Sequence, residues 1–90
     1  MNNFQDKIVV ITGAAGNLGE AVGRAFLEAG ANIVPVDRAA DRLPELFPEL
    51  IGSQEHFLAV SVDSTDPDAV RILVEQVVER FGRIDILVNT

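Results

Sequence analysis

The stretch ITGAAGNLGEAVG, residues 11–23, constrains the fold of this chain more than any other. It spaces Gly13, Gly16 and Gly19 evenly at the point where one hydrophobic period gives way to another. Before it, Ile8-Val9-Val10-Ile11 is short, β-branched and without alternation, the pattern of a strand covered on both faces, as parallel sheets require. After it, Leu18, Val22, Ala25, Phe26 and Ala29 recur at three and four residues, with Glu20, Arg24 and Glu28 between them. That is an amphipathic helix, and Gly30 ends it.

The alternation continues along the chain. NIVPVD (32–37) predicts a second strand, in which Pro35 cannot donate a ladder hydrogen bond and is expected to bring a bulge or one missing bond. AADRLPELFPEL carries Pro44 and Pro48, so any helix there is short and starts afresh at a proline in its first turn. HFLAVSVD (56–63) predicts a third strand. In the following segment Thr65 or Asp66 supplies a helix cap, Pro67 takes the first helical position, and Val70, Leu73, Val74, Val77, Val78 and Phe81 form one apolar face before Gly82 ends the helix. DILVN (85–89) predicts a fourth strand. Strands alternating with helices imply right-handed crossovers and an α/β parallel sheet.

Composition narrows the function. At 90 residues the chain makes one small domain, which buries only about 60% of its unfolded surface. With 14 acidic and 7 basic residues the net charge is −7, so DNA or RNA would meet repulsion rather than counterion release, and no nucleic-acid partner is expected. Cysteine is absent, which excludes disulfides and thiolate metal sites. MNNFQDKIVV lacks the basic and apolar regions of a signal peptide, and no apolar run approaches the roughly 18 residues of a membrane span. The expectation is a soluble, cytoplasmic, unprocessed protein with no membrane partner.

The glycine corner suits a phosphate. A helix N-terminus presents unpaired N–H groups and the positive end of the helix dipole, and a side chain there would stand in the way. Gly13 can make the turn out of the strand, Gly16 can let backbone approach a pyrophosphate, and Gly19 can let the helix lie close to the strand. Asp37, at the end of the second strand, stands near the spacing of about 20 residues at which an acidic residue accepts hydrogen bonds from an adenosine ribose. Glycines also mark ordinary turns, and an aspartate at a strand end also forms one. The agreement of the two features within one strand–helix–strand unit favours the dinucleotide. Arg38 could attract a 2′-phosphate, but with a carboxylate before it NAD(H) is preferred over NADP(H), and Arg38 is read as a solvated surface side chain.

At these residues the chain resembles the N-terminal part of the short-chain dehydrogenase/reductase family. Thr12-Gly13-Ala14-Ala15-Gly16-Asn17-Leu18-Gly19 resembles the family's T-G-x-x-x-G-x-G loop, and Asp37 its NAD-selecting acidic residue. Asp63, with its neighbour Val62, resembles the pair that contacts adenine. FGRIDILVN resembles the run into the family's N-N-A-G motif, with Asn89 as its first asparagine. The resemblance implies a half-Rossmann fold over residues 1–90: about four parallel strands in the order 3-2-1-4, two helical segments on one face and the 67–81 helix on the other. It also implies the NAD(H)-binding portion of an oxidoreductase that moves hydride between a nicotinamide and an alcohol or carbonyl.

The match has departures. Asn17 stands where classical members have their second glycine, and the T-G-x-x-G-x-x-G spacing is that of extended members, so part of a sugar-nucleotide epimerase or reductase stays open. Thr90 replaces the second asparagine of N-N-A-G. Family members use a tyrosine and a lysine four residues later for proton transfer; this chain has no tyrosine, its one lysine is Lys7, and Ser53, Ser61 and Ser64 match no catalytic position. No catalytic residue is assigned, and turnover by these 90 residues alone is not expected. The other reading is a half-domain that self-associates without holding cofactor, through an unpaired edge of the fourth strand, and a homo-oligomer is expected. No metal site is expected: His56 is a lone imidazole, Asp63, Asp66 and Asp68 lack the calcium-loop pattern, and Asp41, Glu45, Glu49 and Glu55 read as a solvated face.

Overall fold

A computed structural model describes residues 3–50, 62, 63 and 65–90. In chain order the elements are β1 (Ile8–Thr12), α1 (Asn17–Glu28), β2 (Asn32–Val36), a 3₁₀ turn (Ala40–Arg42), α2 (Leu43–Leu46), a second 3₁₀ turn (Pro48–Leu50), α3 (Pro67–Phe81) and β3 (Ile86–Asn89). The strands form a parallel sheet in the order β2-β1-β3. This matches the expected order for the first, second and fourth strands. The expected third strand lies outside the described residues except for its last two positions, Val62 and Asp63.

Strand periodicity divides the core in two. Val9 and Ile11 of β1 and Ile33 of β2 pack with Leu43, Phe47 and Leu50 on the α1 and α2 face. Ile8, Val10, Val34 and Val36 pack with Val62, Leu73 and Val77 on the α3 face. Every one of these side chains is buried, each contributing roughly 1.5–3 kcal/mol for a full-sized aliphatic or aromatic group. The expected placement of helices on both faces is therefore observed, and β1 is sealed from either side.

Local chemistry sets the element ends. α1 stops where Gly30 takes φ +91° and donates its N–H to the Leu27 carbonyl at 3.0 Å. For α3 the cap is Asp66, whose side chain accepts from the N–H groups of Asp68 and Ala69, with Pro67 in the first turn and Gly82 left-handed at the end. α2 has Pro44 in its first turn, as its sequence predicts. Arg24 of α1 ties this segment down: it pairs with Glu49, donates to the Leu46 carbonyl, and stands 5.4 Å from the Phe47 ring centroid.

Two expectations are corrected and a third is narrowed. Of the two outcomes expected at Pro35, a bulge is excluded and the missing bond remains: β1 and β2 keep an unbroken register from Ile8↔Asn32 to Thr12↔Val36, with Pro35, which has no N–H to donate, opposite Ile11. Leu18 and Ala25 are not on the buried face of α1; Leu18 is 66% exposed, and the seam against β1 instead runs through the buried Gly19 and Gly23. In α3 the buried seam is Leu73 and Val77, flanked by Ala69 and Phe81, while Val74 and Val78 are 40% and 43% exposed. Residues four apart stack in one line, and that line, rather than the wider valine stripe, is what the sheet covers.

Candidate functional site at the glycine corner

The carboxyl ends of the parallel strands and the start of α1 meet at one corner. β1 leads into Gly13, which takes φ +66°, and Ala14 donates its N–H to the Val36 carbonyl at 3.0 Å, fixing the turn to the end of β2. The chain then enters α1 at Gly16, whose N–H bonds to the Gly13 carbonyl at 3.1 Å and which carries no side chain to cap the helix.

The three glycines do different things. A Cβ on Gly19 would lie 2.1 Å from the Gly13 carbonyl oxygen and 2.8 Å from Ala14 Cα, so the helix touches the turn backbone directly. A Cβ on Gly13 would lie 2.7 Å from the Thr90 hydroxyl oxygen. A Cβ on Gly16 would meet nothing closer than the Gly13 carbonyl oxygen at 3.4 Å, and Gly16, Asn17 and Leu18 are exposed. At that outward face Gly16 has no side chain to stand between an anion and the backbone N–H groups.

Asp37 closes the corner from the β2 side. Its carboxylate accepts from the N–H of Ala15 in the glycine loop at 3.0 Å and from the N–H of Ala39 at 2.9 Å. The acidic residue and the glycine loop, far apart in sequence, are thus one hydrogen-bonded unit. Beside them Thr12, Gly13, Val36, Asp37, Arg38, Val62 and Thr90 line a cavity of about 180 Å³. This is smaller than the roughly 300–1,000 Å³ common for sites that enclose a whole ligand, and it fits a slot for one part of an extended molecule.

Beside the slot Arg38 Nη2 lies 2.6 Å from Asp63 Oδ1. Asp63 is itself fixed, because the same oxygen accepts from the Thr65 N–H at 2.9 Å and the Thr65 hydroxyl at 2.6 Å. The Arg38 guanidinium and these Thr65 donors hold the Asp63 carboxyl well below the usual carboxylate range. Arg38, expected as a solvated side chain, is exposed but ion-paired. On the β3 side the Thr12 hydroxyl donates to the Asn89 side-chain oxygen, and the Thr90 hydroxyl donates to the Thr12 carbonyl at 2.7 Å.

The structure therefore brings together Thr12, Gly13, Ala15, Asp37, Arg38, Val62, Asp63 and Asn89, with Gly16, Asn17, Leu18 and Gly19 on the adjoining first turn of α1. Two contributors are new. Thr90 lines the slot and braces the turn at Gly13, and Val36 supplies apolar wall. At the opposite end of β1, away from the site, Asp85 accepts from the Ile8 N–H and from Arg83 Nε, both at 2.8 Å, pinning the start of β1 to the approach to β3. Its place just before an apolar strand in RIDILVN was the available signal.

Comparison with known proteins follows the same lines. The family model described as short chain dehydrogenase matches residues 7–90. A short chain dehydrogenase/reductase of Colletotrichum higginsianum is 45% identical over 83 residues, covering 92% of this chain and 31% of that protein. The crystal structure of a glucose/ribitol dehydrogenase from Brucella melitensis superposes with a TM-score of 0.83 at 34% identity, over 93% of this chain and 35% of its own. A short chain dehydrogenase/reductase from Burkholderia phymatum, solved in complex with NAD, gives 0.82 at 26% identity, over 97% of this chain and 31% of its own. The chain spans 31% to 50% of the length of its first three curated relatives.

Proposed function

The chain belongs to the short-chain dehydrogenase family, and from that membership we propose that its glycine corner is the NAD(H)-binding portion of an oxidoreductase acting on an alcohol or carbonyl. The backbone of Gly13 to Gly19 holds the pyrophosphate, Asp37 the adenosine ribose, and Val62 with Asp63 the adenine, while Arg38 and Asn89 border the site. The observation that supports this reading is the contact between the Asp37 carboxylate and the Ala15 N–H, which ties the acidic residue at the end of β2 to the glycine turn. The structure also offers a fit on its own terms: the open side of Gly16 is the space a Cβ would partly fill and a phosphate oxygen needs. When bound, the nicotinamide cofactor supplies or takes the hydride. These residues bind and orient it; the tyrosine and lysine that serve proton transfer in the family have no counterpart among the 90 residues.

The NAD-bound Burkholderia relative supports the cofactor class. The choice of NAD(H) rests on Asp37, since a carboxylate at that place accepts from ribose hydroxyls and repels a 2′-phosphate. The test is titration with NADH followed by the cofactor's own fluorescence, with NADPH in parallel; the chain has no tryptophan or tyrosine to interfere. Saturable binding that favours NADH and is lost in Asp37→Ala is expected. Failure of both cofactors to bind at millimolar concentration refutes the reading.

A second reading has its own observation. Leu87, 62% exposed, lines with Val74 an apolar cavity of about 140 Å³ between α3 and β3, and Val78 is exposed on the same helix. We infer that this face joins copies of the chain into a homo-oligomer, which light scattering across a concentration series tests; a particle that stays monomeric refutes it.

A further inference from the structure

We propose that Asp63, by holding the guanidinium of Arg38 in an ion pair beside the slot, turns the site against adenosines that carry a 2′-phosphate. The inference rests on the nucleotide reading above and deepens it, because it makes cofactor choice the work of three charges rather than of Asp37 alone.

Arg38 follows Asp37 at the end of β2 and lines the slot. Arginine is the residue type best suited to a phosphate, with a planar fork of donors that matches two oxygens at once. A lone arginine here would offset the repulsion from Asp37 and admit a 2′-phosphate. In this structure its Nη2 is 2.6 Å from Asp63 Oδ1. Neither carboxylate is free to follow a displaced guanidinium: the Asp37 oxygens are held by the Ala15 and Ala39 N–H groups, and Asp63 Oδ1 by both donors of Thr65. A 2′-phosphate would have to draw Arg38 away from Asp63 and leave that carboxylate facing the incoming charge. Ribose hydroxyls ask for no such exchange. The Asp63 carboxyl is held well below its usual range by Arg38, so it carries its charge at any pH used for binding.

The probes are 5′-AMP and adenosine 2′,5′-bisphosphate, which differ by the one phosphate at issue, titrated calorimetrically into the 90-residue chain. Asp63→Asn keeps the side-chain oxygen that accepts from Thr65 and removes the charge that holds Arg38. The expected result is a rise of about fivefold in affinity for the bisphosphate relative to 5′-AMP, the upper range for an exposed ion pair. Adding Arg38→Gln to that variant abolishes the gain. Arg38→Gln alone, which leaves Asp63 and its turn intact, moves the ratio by less than about twofold because the arginine is already engaged. An unchanged or lowered ratio in Asp63→Asn overturns the proposal, as does a gain that survives loss of Arg38. A fall of about fivefold or more in Arg38→Gln alone also overturns it, since Arg38 would then already serve the phosphate. If 5′-AMP binds and the ratio stays fixed, only this proposal fails; if neither nucleotide binds any form of the chain, the nucleotide site fails and this proposal with it.

Discussion

Replacing Gly19 with alanine should destabilise the protein, against the ordinary helix preference. In an open helix the change would gain up to about 1 kcal/mol, because alanine is the better helix former. Here the new Cβ would lie 2.1 Å from the Gly13 carbonyl oxygen, 2.8 Å from Gly13 C and 2.8 Å from Ala14 Cα. All three are backbone atoms of a turn fixed to β2 by the Ala14 N–H, so none can rotate away. Helix and turn must separate by more than about 1.3 Å before contact becomes ordinary. Overpacking of this kind costs about 1–3 kcal/mol, and rigid neighbours place it at the upper end. The net expectation is a loss of about 2 kcal/mol, or about 8–16 °C in Tm for a domain of this size. Urea and thermal unfolding followed by far-UV circular dichroism would read it. Gly16→Ala is the control: its Cβ meets only the Gly13 carbonyl oxygen at 3.4 Å, so its effect should stay within about 1 kcal/mol. A Gly19→Ala variant as stable as the wild type would refute the claim that α1 sits directly on the turn.

Two further outcomes are expected. Asp66→Ala removes the acceptor for the first N–H groups of α3 and should cost about 1 kcal/mol in urea unfolding; no change would mean that the cap contributes nothing. In acid, Asp85 should matter: the Ile8 N–H, and then Arg83, hold its carboxyl below the usual range. A carboxyl lowered by folding contributes stability that is complete above its unfolded value near 3.9 and is lost as pH falls through the lowered folded value. Urea midpoints of wild type and Asp85→Asn should therefore converge below about pH 4, and a constant gap down to strong acid would contradict the assignment.

The sequence made the sheet legible because β1 and the turns obey strong local rules. An unalternating β-branched run has to be buried on both faces, and Gly30, Pro67 and Gly82 mark helix ends by backbone preference alone. The buried faces of the helices were less legible. Hydrophobic periodicity scores Leu18 and Val74 as core, but contact with a sheet is decided by which line of residues the strands cover. In α1 that line holds glycines, which no hydrophobicity pattern detects. The candidate site divides in the same way. Gly13, Gly16, Gly19 and Asp37 were visible because spacing and residue type carry their chemistry. The Arg38 to Asp63 pair and the bracing of Gly13 by Thr90 depend on how separate strand ends meet, and only the tertiary structure brings those ends together.

The most direct test of the account is an amide chemical-shift map of the ¹⁵N-labelled chain on addition of NAD⁺. The account predicts shifts at Ala14 to Gly19, at Asp37 and Arg38, and at Val62 and Asp63, with the outer faces of α3 and β3 unmoved. Shifts gathered instead around Val74, Val78 and Leu87, or none at millimolar NAD⁺, would contradict a dinucleotide site at the glycine corner.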